Sequence, residues 1–597
     1  MPDQSTSSIA ALTQSLFGDR FTQDHEGWRE LFSTDAFRFQ EGLLPDERIA
    51  LSYARLRRIN AAVTDPETFV QDVERLAALH EWAGPADAGM ATIASIHYNL
   101  FLGSLVDHDN PRDLRPFTDM RRIGTFLCTE AGHGNSASQM ETTATYDPAT
   151  RSFTLHTPTP AARKYMPNTS SAGGSKAAVV AARLITGEGT DRGVFLFLVP
   201  LSEATGRPLP GIHIERLPQT ATSPVDHCAT TFDNVWLPYE ALLQGDHGRL
   251  TPEGEFSSSI GSSRKRFLTS VGRVTTGKLC MSAYSLGTMR HAVTVAVRHA
   301  HNRQTSGATG GNSVPLFAHR SHHAPLLDAL ATTYAANFLH RTALRTWAQA
   351  ATAEQREDGE RLTAIAKGWI TWKAREVMTE CRERCGAQGL LLSNGIAFQL
   401  AANEGTITAE GDNLVIWTKA AGELLLGHFT PEQPSPTLPE DRDLADSGFL
   451  QDLLADLARI WHTRARTRLR SGAAGGPLNR WNRTVGSALK LVDAYAHHTA
   501  AAALRDAAQN ATHPDADYLL HHLHRLFALR RIAAYSGDLL ADGRLTCAQV
   551  QELPDAIENA IEDLAPHAMT LAAGFAVSED ALLDHPITTQ GSGLLPV

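Results

Sequence analysis

Cysteine is scarce. The chain of 597 residues carries six, scattered, with no pair-of-pairs at metal-ligand spacing. That leaves no disulfide framework or zinc-ribbon arrangement to read, and reduced thiols are the simplest account. Long apolar runs are also missing. No run of 18 apolar residues occurs, so no membrane span is expected. The N-terminus is polar and lacks a basic region followed by an apolar one, and the final G-L-L-P-V is not the S-K-L address. A cytoplasmic location follows as an expectation. Positive charge is in deficit, with a net charge of −11, which argues against nucleic acid as a partner. What is present is ordinary for a globular protein: 42% apolar, 20% charged and 7% aromatic residues. The length exceeds one hydrophobic core, so several domains are expected.

The pattern along the chain is helical, then β, then helical again. Ile49, Tyr53, Leu56 and Ile59 recur at helical spacing. Asp65-Pro66 reads as an N-cap with proline at the first helical position, opening a helix to about Trp82 that Gly84-Pro85 ends. Residues 90–106 are apolar on most sides, as in a buried helix. Together these define an N-terminal helical domain over 1–120. Strand-like segments follow at 152–157, 177–185, 194–200, 211–217 and 229–238, separated by Gly, Pro, Asp and Thr. With no helix between them they predict an antiparallel β-barrel or small sandwich over 121–245. Helical periodicity returns near Phe267 and runs to about Leu426, interrupted by a loop-like 306–313, giving a helical-bundle domain over 246–430. Pro431, Pro434, Pro436 and Pro439 mark a stiff linker. A C-terminal helical domain fills 431–597, with Leu450, Leu453, Leu454, Leu457 and Ile460 on one helix face and a break at 471–477. The fold class is α+β, mostly α.

Between the first two regions lies Cys128–Pro148, C-T-E-A-G-H-G-N-S-A-S-Q-M-E-T-T-A-T-Y-D-P. Small and hydroxyl residues suit close approach to a flat ligand, whose edge would bond main-chain N–H and side-chain O–H groups. By composition alone this reads equally as a polar turn. K-Y-M-P at 164–167 precedes Asn168, and R-H-A-H-N-R-Q-T-S places Arg303 just past a helix. C-R-E-R-C-G-A-Q-G spans 381–389, and T-A-E-G-D-N leads into an apolar helix at Leu414. Taken singly, Arg303 is a solvated helix end or a phosphate ligand. Glu410 is a catalytic carboxylate or a residue favoured by the dipole at a helix N-terminus. Cys381 and Cys385 share one helix face with no further ligand near in sequence, so packing is the reading and no metal site is expected. The clusters His319, His322, His323 and His521, His522, His524 read as solvated helix faces.

In their order, these motifs resemble the acyl-CoA oxidases, the larger flavoproteins related to the acyl-CoA dehydrogenases, over roughly residues 28–580. The resemblance implies FAD. It places Thr129, Glu130, Tyr165 and Asn168 against the flavin, and Arg303 on the pyrophosphate of a neighbouring subunit's flavin. It places Gly386, Gln388 and Gly389 by the adenylate, Gly134 and Asn135 at the substrate thioester, and the catalytic base at Glu410. Either Asp412 or Asn413 is then the N-cap of the helix that follows. Tyr165 and Met166 stand where the family has two tryptophans, and Asn168 where it has a glycine. Those departures read as loop variation or as a reshaped wall beside the flavin.

The implied reaction converts an acyl thioester, on CoA or a carrier protein, to a trans-2-enoyl thioester. The base takes the α-proton, hydrogen bonds stabilise the developing enolate, the β-hydrogen leaves as hydride to the flavin, and O2 is the acceptor, giving H2O2. A homodimer is implied. The absence of S-K-L departs from the peroxisomal members and suggests a bacterial-type one. Three alternatives stay open: a same-fold flavoenzyme of secondary metabolism acting on an unusual substrate, a dehydrogenase passing electrons to a protein, and a flavin-free binding protein.

Overall fold

The computed structural model describes residues 4–108, 112–187, 189–308, 311–431, 439–471, 476–583 and 585–588. Most of the expected proline linker, most of the break at 471–477 and the final G-L-L-P-V lie outside the described residues. The contacts divide the chain into two units, one of residues 40–280 and one of residues 1–39 with 281–597.

The 40–280 unit opens with helices. Asp65 caps the Pro66–Gln71 helix by accepting from the Thr68 N–H at 3.2 Å, as the sequence predicts. That helix does not continue to Trp82. Asp72 leaves helical geometry, and its carboxylate accepts from the N–H groups of Glu74 and Arg75 to start a second helix, Val73–Ala86, which contains Pro85. Asp87 repeats the device. It caps the next helix at Met90 and pairs with buried Arg55 at 2.8 Å. The 19-residue stretch Ala88–Val106 is, against the sequence expectation, long and apolar enough to cross a membrane by length and composition, with a hydropathy of 1.2. It is 83% buried within the protein, which makes it a core helix. Its centre, Ser95–Leu102, is wound as a π-helix.

Strands β1 (Ile123–Leu127), β2 (Thr143–Asp147), β3 (Ser152–His156), β4 (Lys164–Tyr165), β5 (Lys176–Thr186), β6 (Thr190–Pro200), β7 (Ile212–Arg216), β8 (Cys228–Phe232) and β9 (Val235–Pro238) form two sheets. One has six strands and the other, β4-β8-β7, has three. Pairing is mainly antiparallel, as expected, but β1 and β2 both run parallel to β5. β6 pairs along nearly the whole length of β5, from Ala177 to Thr186. It therefore occupies one edge, and β1 and β2 must share the other. β1 pairs with residues 176–180 and β2 with 183–185. The two strands lie end to end, and the segment from Cys128 to Thr142 leaves and rejoins the same edge. The two sheets enclose Phe153, Leu155, Val180, Phe195, Phe197, Phe232 and Leu237, each at most 1% exposed. The segment expected as one strand at 229–238 is two, broken where Asn234 takes φ +49.

In the other unit the Gln4–Phe17 helix packs with C-terminal elements rather than with the rest of the expected 1–120 domain. The Thr13 hydroxyl donates to the Gly574 carbonyl at 3.0 Å, and the Leu16 carbonyl accepts from Asn337 at 2.9 Å. The bundle and the expected C-terminal domain share one core. Trp369, on the Ala353–Arg384 helix, meets His497 and Phe527 edge-on with ring centroids 5.8 and 6.1 Å apart. The loop expected at 306–313 joins two short antiparallel strands, Gln304–Ser306 and Ser313–Pro315. The histidine clusters are not simple solvated faces: His322 is 9% exposed and His524 is wholly buried.

β1 is anchored to the π-helical segment by the Gly124 N–H, which donates to His97 Nδ1 at 2.9 Å. That nitrogen is an acceptor, so the ring is neutral, and burial with nearby Lys176 lowers the His97 pKa to about 3. Between pH 6.5 and about 3 the unfolded chain takes up a proton that the folded chain refuses, so acid destabilises. The expected loss from this group is about 2 kcal/mol between pH 6.5 and 5. His97→Asn, which keeps an acceptor, should flatten that slope by about one proton in urea unfolding. An unchanged slope contradicts the assignment.

Candidate functional site

The Cys128–Thr142 loop is built around a carboxylate. Glu130 is 1% exposed. Its Oε2 accepts from the Glu141 N–H at 2.7 Å, and its Oε1 from the Thr142 N–H and hydroxyl at 2.9 and 2.6 Å and from Lys164 Nζ at 3.1 Å. Burial alone would push the Glu130 carboxyl up. Lys164 and the Thr142 and Glu141 donors outweigh it and hold the group below the ordinary carboxylate value. Burial lowers Lys164 despite that pairing. Glu130 therefore closes the base of the loop, and its oxygens are spent.

Asn168 is buried likewise. It is 0% exposed; its Oδ1 accepts from the Thr125 hydroxyl at 2.6 Å and its Nδ2 donates to Tyr53 Oη at 3.1 Å. The same Tyr53 hydroxyl donates to Asp226 at 2.5 Å and accepts from Lys176 Nζ at 2.5 Å. Burial, then Asp226, raises Tyr53 well above its usual value, while burial brings Lys176 down to about 8. This network, absent from the sequence reading, locks the residue where the family has a glycine. What faces outward is the rest of the loop. Thr129, Gly134 and Asn135 are exposed, and Asn135 has φ +60. Tyr165 and Met166 stand 44% and 37% exposed, and the Tyr165 N–H donates to the Thr129 carbonyl at 2.9 Å.

In the second unit the segments that carry Arg303 and Gln388 are tied by a shared clasp. Asn302 donates to the Thr588 carbonyl at 2.8 Å. The Ile587 N–H donates to Asn394 Oδ1 at 3.1 Å, and Asn394 donates to the Gln388 carbonyl at 2.9 Å. The Pro586–Thr588 turn thus ties the end of the Arg273–Asn302 helix to the Gly386–Leu390 turn. Gly386, at φ +57, has open space where a Cβ would stand, whereas a Cβ on Gly389 would come within 2.6 Å of the Arg382 carbonyl. Gly386 leaves room for a ligand, and Gly389 serves close packing. Arg303 is exposed and has no carboxylate partner among the described residues. A guanidinium fork and a turn free of side chain are what a dinucleotide's pyrophosphate and adenylate require, so these residues fit FAD.

Glu410 lies in the connection between the Ile396–Thr408 and Asn413–Glu423 helices. It is half-buried and has φ +57, in the left-handed region that non-glycine residues rarely enter. Such a conformation costs on the order of 1–3 kcal/mol and persists where the surroundings impose it. Asp412 is the N-cap, accepting from the Leu414 N–H at 3.0 Å. Asn413 turns inward, 0% exposed. Cys381 and Cys385 are buried, and burial raises both thiols, Cys385 to about 12, as packed side chains rather than thiolates.

Two family models match: "Acyl-CoA oxidase, C-alpha1 domain" over residues 272–425 and "Acyl-CoA oxidase" over 449–588. The chain is 27% identical over 503 residues to the peroxisomal acyl-coenzyme A oxidase 2 of Arabidopsis thaliana, covering 77% of this chain and 72% of that one. Its fold is similar to acyl-CoA oxidase 3 of Yarrowia lipolytica, with TM-score 0.86 and 21% identity over 99% of this chain and 90% of that one. It is also similar to acyl-CoA oxidase-2 of Caenorhabditis elegans, a structure bound with FAD, ascaroside-CoA and ATP. There the TM-score is 0.83, with 18% identity over 99% and 93% of the two chains.

The Glu130–Lys164 pair yields a stability test. Lys164→Met leaves a carboxylate buried without its cation and should cost about 3–5 kcal/mol in urea unfolding. Adding Glu130→Gln should recover part of that loss. A double variant whose loss equals the sum of the two single losses contradicts the coupling.

Proposed function

We propose that this chain is an acyl-CoA oxidase, a reading supported by the family models over residues 272–425 and 449–588, and that Glu410 is the base of its FAD-dependent reaction. The observation that carries the proposal is the backbone at Glu410: a carboxylate held at φ +57 on a short turn, at the position the resemblance gives to the base. FAD, when bound, supplies the hydride acceptor and hands the electrons to O2, giving H2O2. Arg303 holds its pyrophosphate, the Gly386–Gln388 turn its adenylate, and Thr129 with Tyr165 the ring edge. Gly134 and Asn135 face the thioester. Glu410 takes the α-proton, and the product is the trans-2-enoyl thioester. The protein works as a homodimer, as the resemblance implies, in a reducing, cytoplasmic setting, the simplest reading of six cysteines scattered along the sequence. A carrier-protein-bound acyl group is the second reading, motivated by the exposed Tyr165–Met166 pair. Side-by-side rates on acyl-CoA and acyl-carrier-protein thioesters separate the two.

Glu410→Gln keeps volume and hydrogen bonding but cannot accept the proton as a carboxylate does. Anaerobic flavin reduction by the cognate acyl thioester should fall by about 10²- to 10⁴-fold in stopped flow, with FAD retained. Asp412→Asn, which touches only the cap, should keep the rate and lose about 1 kcal/mol at most. A wild-type rate in Glu410→Gln refutes the base assignment. The purified protein should be yellow, carry about one FAD per chain and scatter light as at least a dimer. A colourless protein after FAD addition, or an active FAD-loaded monomer, counts against the corresponding assignment.

A further inference from the structure

Lys367 was not singled out by any motif. It stands in T-A-I-A-K-G-W-I-T-W, a lone cation in an otherwise uncharged stretch of the Ala353–Arg384 helix. The structure buries it completely, at 0% exposure. Its ammonium meets three oxygens: the Ile407 carbonyl at 2.9 Å, the Gly411 carbonyl at 2.9 Å and Asn413 Oδ1 at 2.8 Å. An ammonium has three N–H donors, and each of these oxygens accepts from it.

The oxygens are not scattered. Ile407 is in the last turn of the Ile396–Thr408 helix, where carbonyls lack intrahelical partners, and a cation there also complements the helix dipole. Gly411 follows Glu410 directly, and Asn413 begins the next helix. Lys367 therefore grips the chain three residues before Glu410, one after it and three after it. Within this short connection Glu410 and Gly411 take φ +57 and +95.

The grip is itself braced. Asn413 Nδ2 donates to Thr371 Oγ1 at 2.9 Å, and the Thr371 hydroxyl donates to the Lys367 carbonyl at 2.9 Å. Asn403 Nδ2 donates to the Thr371 carbonyl at 3.0 Å, and Ser285 donates to Asn403 Oδ1 at 2.8 Å. Trp417 Nε1 fixes the following helix to the Ile365 carbonyl at 3.2 Å. Burying an ammonium is costly unless its donors are satisfied. Here all of that buried polarity is arranged about one turn.

We propose that Lys367 is a positioning residue for Glu410, its ammonium pinning the left-handed turn from three sides so that the carboxylate keeps a single orientation. The proposal rests on the reading of Glu410 as the base. Lys367 does not touch substrate; it acts through the turn. Its loss should misplace the carboxylate rather than remove it, which acts on the proton-transfer step and spares substrate affinity.

The test compares Lys367→Met, Lys367→Gln and Glu410→Gln, each loaded with FAD, in anaerobic stopped flow over a range of acyl-CoA concentrations. In Lys367→Met the limiting rate of flavin reduction should fall by about 10²-fold, the order expected for a misplaced group. The acyl-CoA concentration at half-saturation should stay within about threefold, because uniform binding is spared. Lys367→Gln retains two N–H donors and should recover part of the rate. A merely structural role would lower the folded, FAD-loaded fraction and leave the rate per bound FAD at the wild-type value, which overturns the proposal. If Lys367→Met yields no folded protein, Thr371→Val decides. It removes the brace on Asn413 and the hydroxyl's bond to the Lys367 backbone carbonyl, and it leaves the Lys367 ammonium in place. A severalfold slower limiting rate at unchanged half-saturation supports the proposal, and a wild-type rate overturns it. Glu410→Gln keeps the two readings apart. If it reduces flavin normally, the base assignment has failed; if it is slow while Lys367→Met is normal, the base stands and the clamp alone has failed.

Discussion

On the proposed reading, a carboxylate that accepts a proton from carbon has to be held in one place, and this chain holds Glu410 on strained backbone. Glu410 sits at φ +57 between two helices that would relax if the turn opened. Nothing local to T-A-E-G-D-N favours that conformation except Gly411. The constraint is imposed from outside, by a buried ammonium on one helix and by Asn413, Thr371 and Asn403 behind it. Core polarity is expensive and tends to survive where it specifies one geometry. The density of satisfied donors about this turn is the structural argument that its geometry matters.

The other unit solves a similar problem with a sheet. β1 and β2 occupy successive lengths of one edge of β5, so the intervening loop is pinned at both ends by parallel pairing. Glu130 then draws the two ends together through main-chain N–H groups. The residues left facing outward, Thr129, Gly134 and Asn135, can meet a ligand without themselves maintaining the loop. Stability and recognition are thus divided between neighbours in sequence: Thr129 outward, Glu130 inward.

That division explains what the sequence could and could not reveal. The helical periodicity around Ile49–Ile59, the Asp65-Pro66 cap and most strand positions were legible because they follow from local spacing and capping chemistry. Parallel pairing of β1 and β2 was not, since it depends on which edge of β5 is free, a long-range fact. The motif order singled out Thr129 and Arg303, which the structure leaves exposed, and Glu410, which it leaves half-buried. It could not distinguish Glu130 and Asn168, which belong to the same motifs but turn inward. Gly389 likewise has a packing role, since a side chain there would meet the Arg382 carbonyl. Lys164 and Lys367 were missed because a lysine in sequence reads as solvated. For Lys367 the only local signal is isolation, a single cation amid uncharged neighbours, whereas Lys164 directly follows Arg163 and carries no such signal.

The central claim is that Glu410 removes the α-proton, and it is best tested apart from any redox step. A 3-thia-acyl-CoA has sulfur in place of the β-carbon, so no β-hydride can leave, yet its α-protons can still exchange. In D2O, with FAD-loaded protein, NMR follows α-H to α-D exchange of the thioester. The account predicts exchange by the wild type that slows by about 10²-fold or more in Glu410→Gln, the usual worth of a positioned base. Equal exchange in the two proteins would contradict it and place the base elsewhere.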